Sequence, residues 1–243
     1  MTLAFGGDSI LYLSIPAFFN VSEKYDLFNE IHCTGFSCIP VYLYLKTGSY
    51  NISYLKTKKL FPEIKKTFHF LYGLSLFGIV EQLRTLYKAS KGIDGFKSQK
   101  TLINFVKKYF PDEEIPGKMK IHAFNLNTFN DEILKGSIRE AMIKTLTFPI
   151  EFKPFENYIS GSWVYGIPEA DFLFYISSNF QTNLKNAVDY MMFSTISRTN
   201  KITNNRLEKA PHKIIYQTNS LNPFEISTEV FKLSQEYLRR YFS

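Results

Sequence analysis

Two short apolar runs, each stopped by glycine and followed by a helix-forming stretch, restrict this chain more than any other feature. Residues 2–5, "TLAF", end at Gly6-Gly7, and residues 10–19 are apolar at most positions and read as a helix that contains Pro16. A second run, "YDLFNEIHCT", reaches Gly35-Phe36-Ser37 and then an apolar stretch, 39–46, with Pro40 in what would be its first turn. Short apolar runs closed by glycine read as buried strands. Proline is accepted in a first helical turn because its missing N–H has no helical partner there. The order strand, Gly-rich turn, helix, strand, sharp turn, helix is that of a βαβ unit. It predicts an α/β fold with a central, mostly parallel sheet and helices on both faces.

The middle of the chain, 51–118, keeps a helical period through "YLKTKKLFPEIKKTFHFLYGL", "LFGIVEQLRTLYKAS" and "KSQKTLINFVKKYF", with Gly92, Asp94-Gly95 and Pro111 as punctuation. Further strands are predicted at 119–127, 171–179 and 212–219. A helix is predicted at 136–148, a strand and loop at 156–168, and a final amphipathic helix at 227–242. No repeat, low-complexity tract or linker divides the sequence, so residues 1–243 are expected to form one domain. Its 45% hydrophobic and 17% aromatic content suffices for a single large core.

The charge pattern narrows the partners. The chain carries a net charge of +7, yet its basic residues come in short groups: Lys56/Lys58/Lys59, Lys65/Lys66, Lys107/Lys108 and Arg239/Arg240. No run reaches the five or more that mark a nucleic-acid tract, so no nucleic-acid partner is expected. These residues read as solvated helix faces, with a weak attraction to an anionic lipid surface as the alternative. Cys33 and Cys38 are the only cysteines, and the four histidines (His32, His69, His122, His212) are dispersed. Neither a disulfide framework nor a metal-ligand set is expected, and the usage suits a reducing cytoplasm. The start "MTLAFGG" shows no secretory signal, and the most apolar window, 68–80, is too short to span a bilayer. A cytoplasmic protein, with contact at the inner membrane surface as the variant, is the expectation. Its oligomeric state is not legible.

One long stretch resembles a known family. "AFNLNTFNDEILKGSIREAMIKTLTFPIEFKP" (123–154) is similar to the run "A-T-D-L-x-T-G … G-x-x-x-x-A-x-x-A-S-x-x-x-P-x-x-F-x-P" of the patatin-like phospholipases, in particular their short bacterial members. Ala123, Leu126, Thr128, Gly136, Ala141, Pro149, Phe152 and Pro154 fall in place, with Thr145 where that family has a small residue or Ser. "GIDGFKSQKTLINFVKKYFP" (92–111) resembles the helical segment that precedes it, and the order of elements matches over nearly the whole chain. The resemblance implies a single patatin-like domain and a serine lipid acyl hydrolase with an acyl lipid or phospholipid substrate and neither cofactor nor metal. It also implies three functional parts. These are a Gly-rich oxyanion loop after the first strand, a G-x-S-x-G elbow carrying the nucleophile, and a D-G-[GA] loop whose Asp is the general base.

Carried over residue by residue, the resemblance makes Ser37 the nucleophile-equivalent, with Gly6, Gly7 and Cys38 as oxyanion donors. Ser160 stands in the position of the family's Asp. Each part departs from the pattern. Ile39 replaces the second elbow glycine, which should push the elbow apart or tilt the following helix. Asp8 stands in the oxyanion loop where a basic residue is usual, either opposing an oxyanion or capping the next helix. Ser160 in "YISGSW" lacks the carboxylate that would take a proton from Ser37. Asp171, Glu169 and Glu156 are the nearby substitutes, Asp171 standing too far along the next strand. His32, on the entering strand, reads as a packed histidine. The expectation is a patatin-like protein of lipid metabolism with impaired hydrolysis; the alternative is a non-catalytic chain that binds an acyl lipid or a protein.

Overall fold

A computed structural model describes residues 1–68, 95, 97–149, 151–178 and 187–242. Most of the apolar window 68–80 and of the helical expectation for 81–94 lies outside the described residues. Among the described residues seven strands form one sheet: β1 (Thr2–Phe5), β2 (Glu30–Thr34), β3 (Met119–Asn125), β4 (Asn130–Ile133), β5 (Tyr158–Ser160), β6 (Phe172–Ser178) and β7 (His212–Thr218). Their order is β4-β3-β2-β1-β6-β7, with β5 also paired to β3. The β1–β2, β2–β3, β1–β6 and β6–β7 pairings are parallel, whereas β4 and β5 run antiparallel to β3. The chain is therefore α/β, as the glycine-stopped runs predict. Leu3, Ala4 and Phe5 on β1 and Phe172 to Ile176 on β6 are all buried, the pattern of strands covered on both faces.

Helices α1 (Pro16–Ser22), α2 (Cys38–Thr47), α3 (Tyr50–Thr67), α4 (Gln99–Tyr109), α5 (Ile138–Thr145), α6 (Gly161–Tyr165), α7 (Ala187–Lys209) and α8 (Ser227–Phe242) surround the sheet. Alternation along β2 places helices on both faces. Cys33 meets Cys38 of α2, while the neighbouring His32 points the other way, to His122 and the side of α6. An aromatic cluster fills the space under α1, where Phe18 packs on Phe5, Phe28, Phe172 and Phe174 with ring centroids 5.1–6.1 Å apart.

Three local expectations are corrected. The stretch 10–19 is not one helix: a 3-10 turn, Ile10–Ser14, precedes α1, and Pro16 sits at the start of α1, where its lost N–H costs nothing. Residues 119–127 end as a hairpin, β3 to β4, turned by Phe129 at φ 53°. The loop expected after Ser160 is helix α6.

Candidate functional site

The register of the sheet builds the elbow. Thr34, the last residue of β2, lies beside His122. The antiparallel β5 takes over the same edge of β3 one step later, with Ser160 opposite Ala123. The turn after β2 and the Ser160-Gly161-Ser162 segment are thereby brought face to face. The notional Cβ of Gly35 would lie 2.8 Å from the Ser162 Oγ. Polar contacts tie the two together: the Ser162 N–H donates to Thr34 Oγ1 (3.1 Å), and Ser160 and Ser162 share a hydroxyl hydrogen bond of 2.9 Å. Thr145, from α5, accepts the Gly35 N–H (2.8 Å) and donates to the His122 carbonyl (2.8 Å).

The strained position of the turn belongs to Gly35. Its φ is +59°, whereas Ser37 has helical backbone, φ −63° and ψ −26°. A nucleophile elbow holds its nucleophile at the sharp strand-to-helix turn, side chain projecting. Here that place carries no side chain. Ser37 lies two residues on, fully buried, its hydroxyl donating to the Thr34 carbonyl (2.8 Å) and accepting the Thr34 N–H (3.2 Å). It staples the end of β2 to the first helical turn. Ser37→Ala is expected to cost about 1 kcal/mol of stability, readable as a lowered urea midpoint.

Two of the backbone N–H groups at the turn, those of Phe36 and Cys38, are bonded within the chain. In an elbow the residue after the turn position offers its N–H to the developing charge. That residue is Phe36, and its N–H donates to the Gly7 carbonyl at 3.0 Å, within the range of an oxyanion contact. The same carbonyl would lie 2.4 Å from a Cβ at Gly35. Gly7 therefore turns its carbonyl toward the turn and takes the Phe36 N–H. The Cys38 N–H is spent inside the helix, on the Gly35 and Phe36 carbonyls, and Gly6 lies under the Tyr12 ring, whose Oη would be 2.3 Å from a Cβ there. Ile39 is buried in the first turn of α2, four residues past the turn glycine, so the expected steric conflict at a second elbow glycine does not arise.

The substitute bases are engaged elsewhere. Asp171 accepts from the Thr2 N–H and hydroxyl, which hold its carboxyl below the usual range. Glu169 faces Arg206 at 3.6 Å and Glu156 faces Lys144 at 3.0 Å. None is hydrogen-bonded to Ser37, Ser160 or Ser162.

Of two further polar features, one escapes a reading of the sequence and the other, Asp8, does not take the capping role weighed for it. The first is a chain of polar groups that runs from the buried His32 and His122 out to the exposed Asp131. His32 Nδ1 lies 2.8 Å from His122 Nε2, His122 Nδ1 lies 2.8 Å from Asp131 Oδ2, and the Tyr165 hydroxyl donates to Asp131 Oδ1 at 2.6 Å. With Asp131 ionised, His122 donates from Nδ1 and accepts at Nε2 from a neutral His32. The His32 Nε2 then carries no proton, and it has no hydrogen-bond partner, with Glu30 3.4 Å away. Burial and the neighbouring His122 push the His32 pKa down. The other feature is Asp8. Its side chain does not cap the next turn, where Ser9 accepts the Leu11 N–H instead. Its Oδ1 is buried without a hydrogen-bond partner, and burial raises its carboxyl to about 7, against weaker opposition from the N–H groups of Asp8 and Ser9.

These two groups bracket the stability profile. His32, lowered from 6.5, leaves stability intact above that value and removes it as pH falls through the folded pKa. Asp8, raised from 3.8 to about 7, removes stability as pH rises across that interval. At 1.36 kcal/mol per pH unit, Asp8→Asn is expected to gain about 4 kcal/mol near pH 8 and little near pH 4. Urea unfolding of both proteins across pH measures this.

Among the described residues no group of three His, Cys, Asp or Glu side chains could hold a metal ion, and no helix is long and apolar enough to cross a membrane. Cys33 and Cys38 are free and buried. A cavity of about 300 Å3 lies away from the elbow, between α1, α3 and α8, with Asn20, Tyr50, Tyr54, Ser227, Thr228 and Phe231 in its walls. Compared with known proteins, the chain matches no family model and no curated sequence.

Proposed function

We propose that this chain is a patatin-like domain that has lost hydrolysis and acts by binding. The reading of lineage rests on the likeness of residues 123–154 and on the order of parts: a glycine pair after β1, a sharp turn after β2, and two serines at the junction of β5 and α6 that face this turn. The reading of function rests on one observation, the Gly7 carbonyl seated on the Phe36 N–H where a substrate oxygen would go. Hydrolysis needs a projecting nucleophile, a base to take its proton and free donors for the oxyanion. Gly35 supplies no side chain, the segment facing it supplies hydroxyls in place of a carboxylate, and the donor is already bonded. Removal of catalytic residues in comparable hydrolases costs roughly 10⁴- to 10⁶-fold in turnover, and here nucleophile, base and donor are all compromised.

Turnover of short-chain nitrophenyl esters tests this reading. Wild type, Ser37→Ala and Ser160→Asp are all expected to match the buffer blank. Turnover that disappears in Ser37→Ala, or that rises in Ser160→Asp, would restore the hydrolase reading.

A further inference from the structure

Charge on this molecule is concentrated on two adjoining helices. Lys56, Lys58, Lys59, Lys65 and Lys66 lie on α3, and Lys97, Lys100, Lys107 and Lys108 lie at or within α4. Glu63 is the one acidic residue among residues 50–67 and 97–109. Nine lysines against one glutamate exceed the net charge of +7 carried by the entire chain, so the remaining residues are close to neutral in sum. The two helices form one surface: Lys108 Nζ reaches Glu63 at 4.0 Å, and Lys97 Nζ donates to the carbonyls of Lys66 and Thr67 that end α3.

The same face carries apolar side chains in water. Leu55 is 64% exposed and Ile52 44%. At the helical period, Ile52, Leu55, Lys56, Lys59 and Lys66 fall within an arc of about 100°, which also holds Glu63, the residue that Lys108 reaches at 4.0 Å. The adjoining side of α3 buries Ser53, Thr57, Leu60, Ile64 and Thr67. Aliphatic residues set among lysines on the outer face of a helix are the arrangement that seats a helix in the headgroup layer of a bilayer.

We propose that the outer face of α3, flanked by the lysines of α4, docks on an anionic phospholipid surface. The lysines answer the surface charge, and Leu55 and Ile52 enter the boundary between headgroups and acyl chains. A nucleic-acid backbone would engage the lysines and leave the aliphatic pair in water, so the composition of the face favours lipid. The elbow and this face lie on different elements, so ester turnover and vesicle binding report on them independently.

Co-sedimentation with vesicles of phosphatidylcholine, alone and mixed with phosphatidylglycerol, tests the proposal on the intact chain. Wild type is expected to bind the mixed vesicles and not the neutral ones, with binding that weakens as salt rises. Lys56→Gln/Lys59→Gln/Lys66→Gln should reduce binding to mixed vesicles roughly 100-fold, at about 5-fold per lysine. Ile52→Ser/Leu55→Ser should reduce it on the order of 10-fold. Both variants change solvent-facing side chains, and an unchanged far-ultraviolet spectrum confirms that each has folded. Equal binding to neutral vesicles would overturn the proposal. So would unchanged binding in the Ile52/Leu55 variant, or duplex DNA that displaces the vesicles and binds that variant as tightly as wild type.

Discussion

Gly7→Ala is expected to unfold this protein, or come close to it. A Cβ at position 7 would lie 1.5 Å from the Thr34 carbonyl oxygen and 2.6 Å from its carbon. The obstacle is backbone at the end of β2, and it cannot turn aside as a side chain would. Thr34 is also fixed on every side: by the β2–β3 ladder, by the Ser37 hydroxyl, by the His122 carbonyl that accepts from its own hydroxyl, and by the Ser162 N–H. Relief would require β1 and β2 to separate at the point where their parallel pairing ends. A loss of about 4–5 kcal/mol or more follows, against a total stability of about 5–15 kcal/mol for a domain. The measurement is a urea or thermal midpoint, with insolubility as the extreme outcome. A midpoint near wild type would mean that the loop after β1 does not press on the elbow.

Gly35→Ser is the second large effect, and the more informative. It places a hydroxyl at the turn position, opposite Ser162 at the start of α6, and so rebuilds on paper the nucleophile that the proposed function takes to be lost. The account predicts loss of stability without gain of activity. A left-handed backbone costs a non-glycine residue about 1–2 kcal/mol, and the new Cβ would stand 2.4 Å from the Gly7 oxygen and 2.8 Å from Ser162 Oγ. Together these predict a loss on the order of 3–4 kcal/mol. Gly48→Ala separates the two contributions. Gly48 has φ +61°, matching the +59° of Gly35, but a Cβ there would meet nothing within 4 Å. It should lose the backbone contribution alone, about 1–2 kcal/mol. If Gly35→Ser and Gly48→Ala lost the same amount, the Gly7 carbonyl would not be pressing on the turn. If Gly35→Ser/Ser160→Asp hydrolysed esters, the donor site would be open.

The sequence carries the scaffold well because the scaffold is local. The apolar run at 2–5 is a strand, and of the run 25–34 the second half, Glu30–Thr34, is one; Gly6-Gly7 and Gly35 are their turns, and Pro16 and Pro40 both fall in first helical turns. The site is legible only in part, for two physical reasons. The pattern G-x-S assigns Gly35 to the first position and Ser37 to the nucleophile, but β2 ends at Thr34, and the residue directly after a strand takes the sharp turn. A glycine directly after the strand was the available signal. The second reason is register. His32 and His122 are 90 positions apart, and they become neighbours only because β2 and β3 pair in parallel with Thr34 beside His122. Nothing in the spacing of dispersed histidines announces that contact. The hairpin strand β4, which brings Asp131 to them, is equally hidden, since "NDEI" is mostly polar and has three of its four residues exposed.

The proposed loss of chemistry rests on the Gly7 carbonyl that takes the Phe36 N–H and on the burial of Ser37, and Ser160 alone would not have carried it. A hydrolase with only its base replaced would still hold an exposed nucleophile and a free N–H after the turn. Here Ser37 is fully buried and the Phe36 N–H is bonded. The fully buried Thr34, Ser37, Thr145, Ser160 and Ser162 are hydrogen-bonded to one another or to the backbone of Gly35 and His122, which is what keeps a polar cluster inside a core inexpensive.

Intact-mass analysis after incubation with a fluorophosphonate tests the central claim most directly, because the reagent needs only an activated, accessible serine and not a fitting substrate. The account predicts no added mass on the folded protein. A stoichiometric adduct on Ser37, lost in Ser37→Ala, would contradict it.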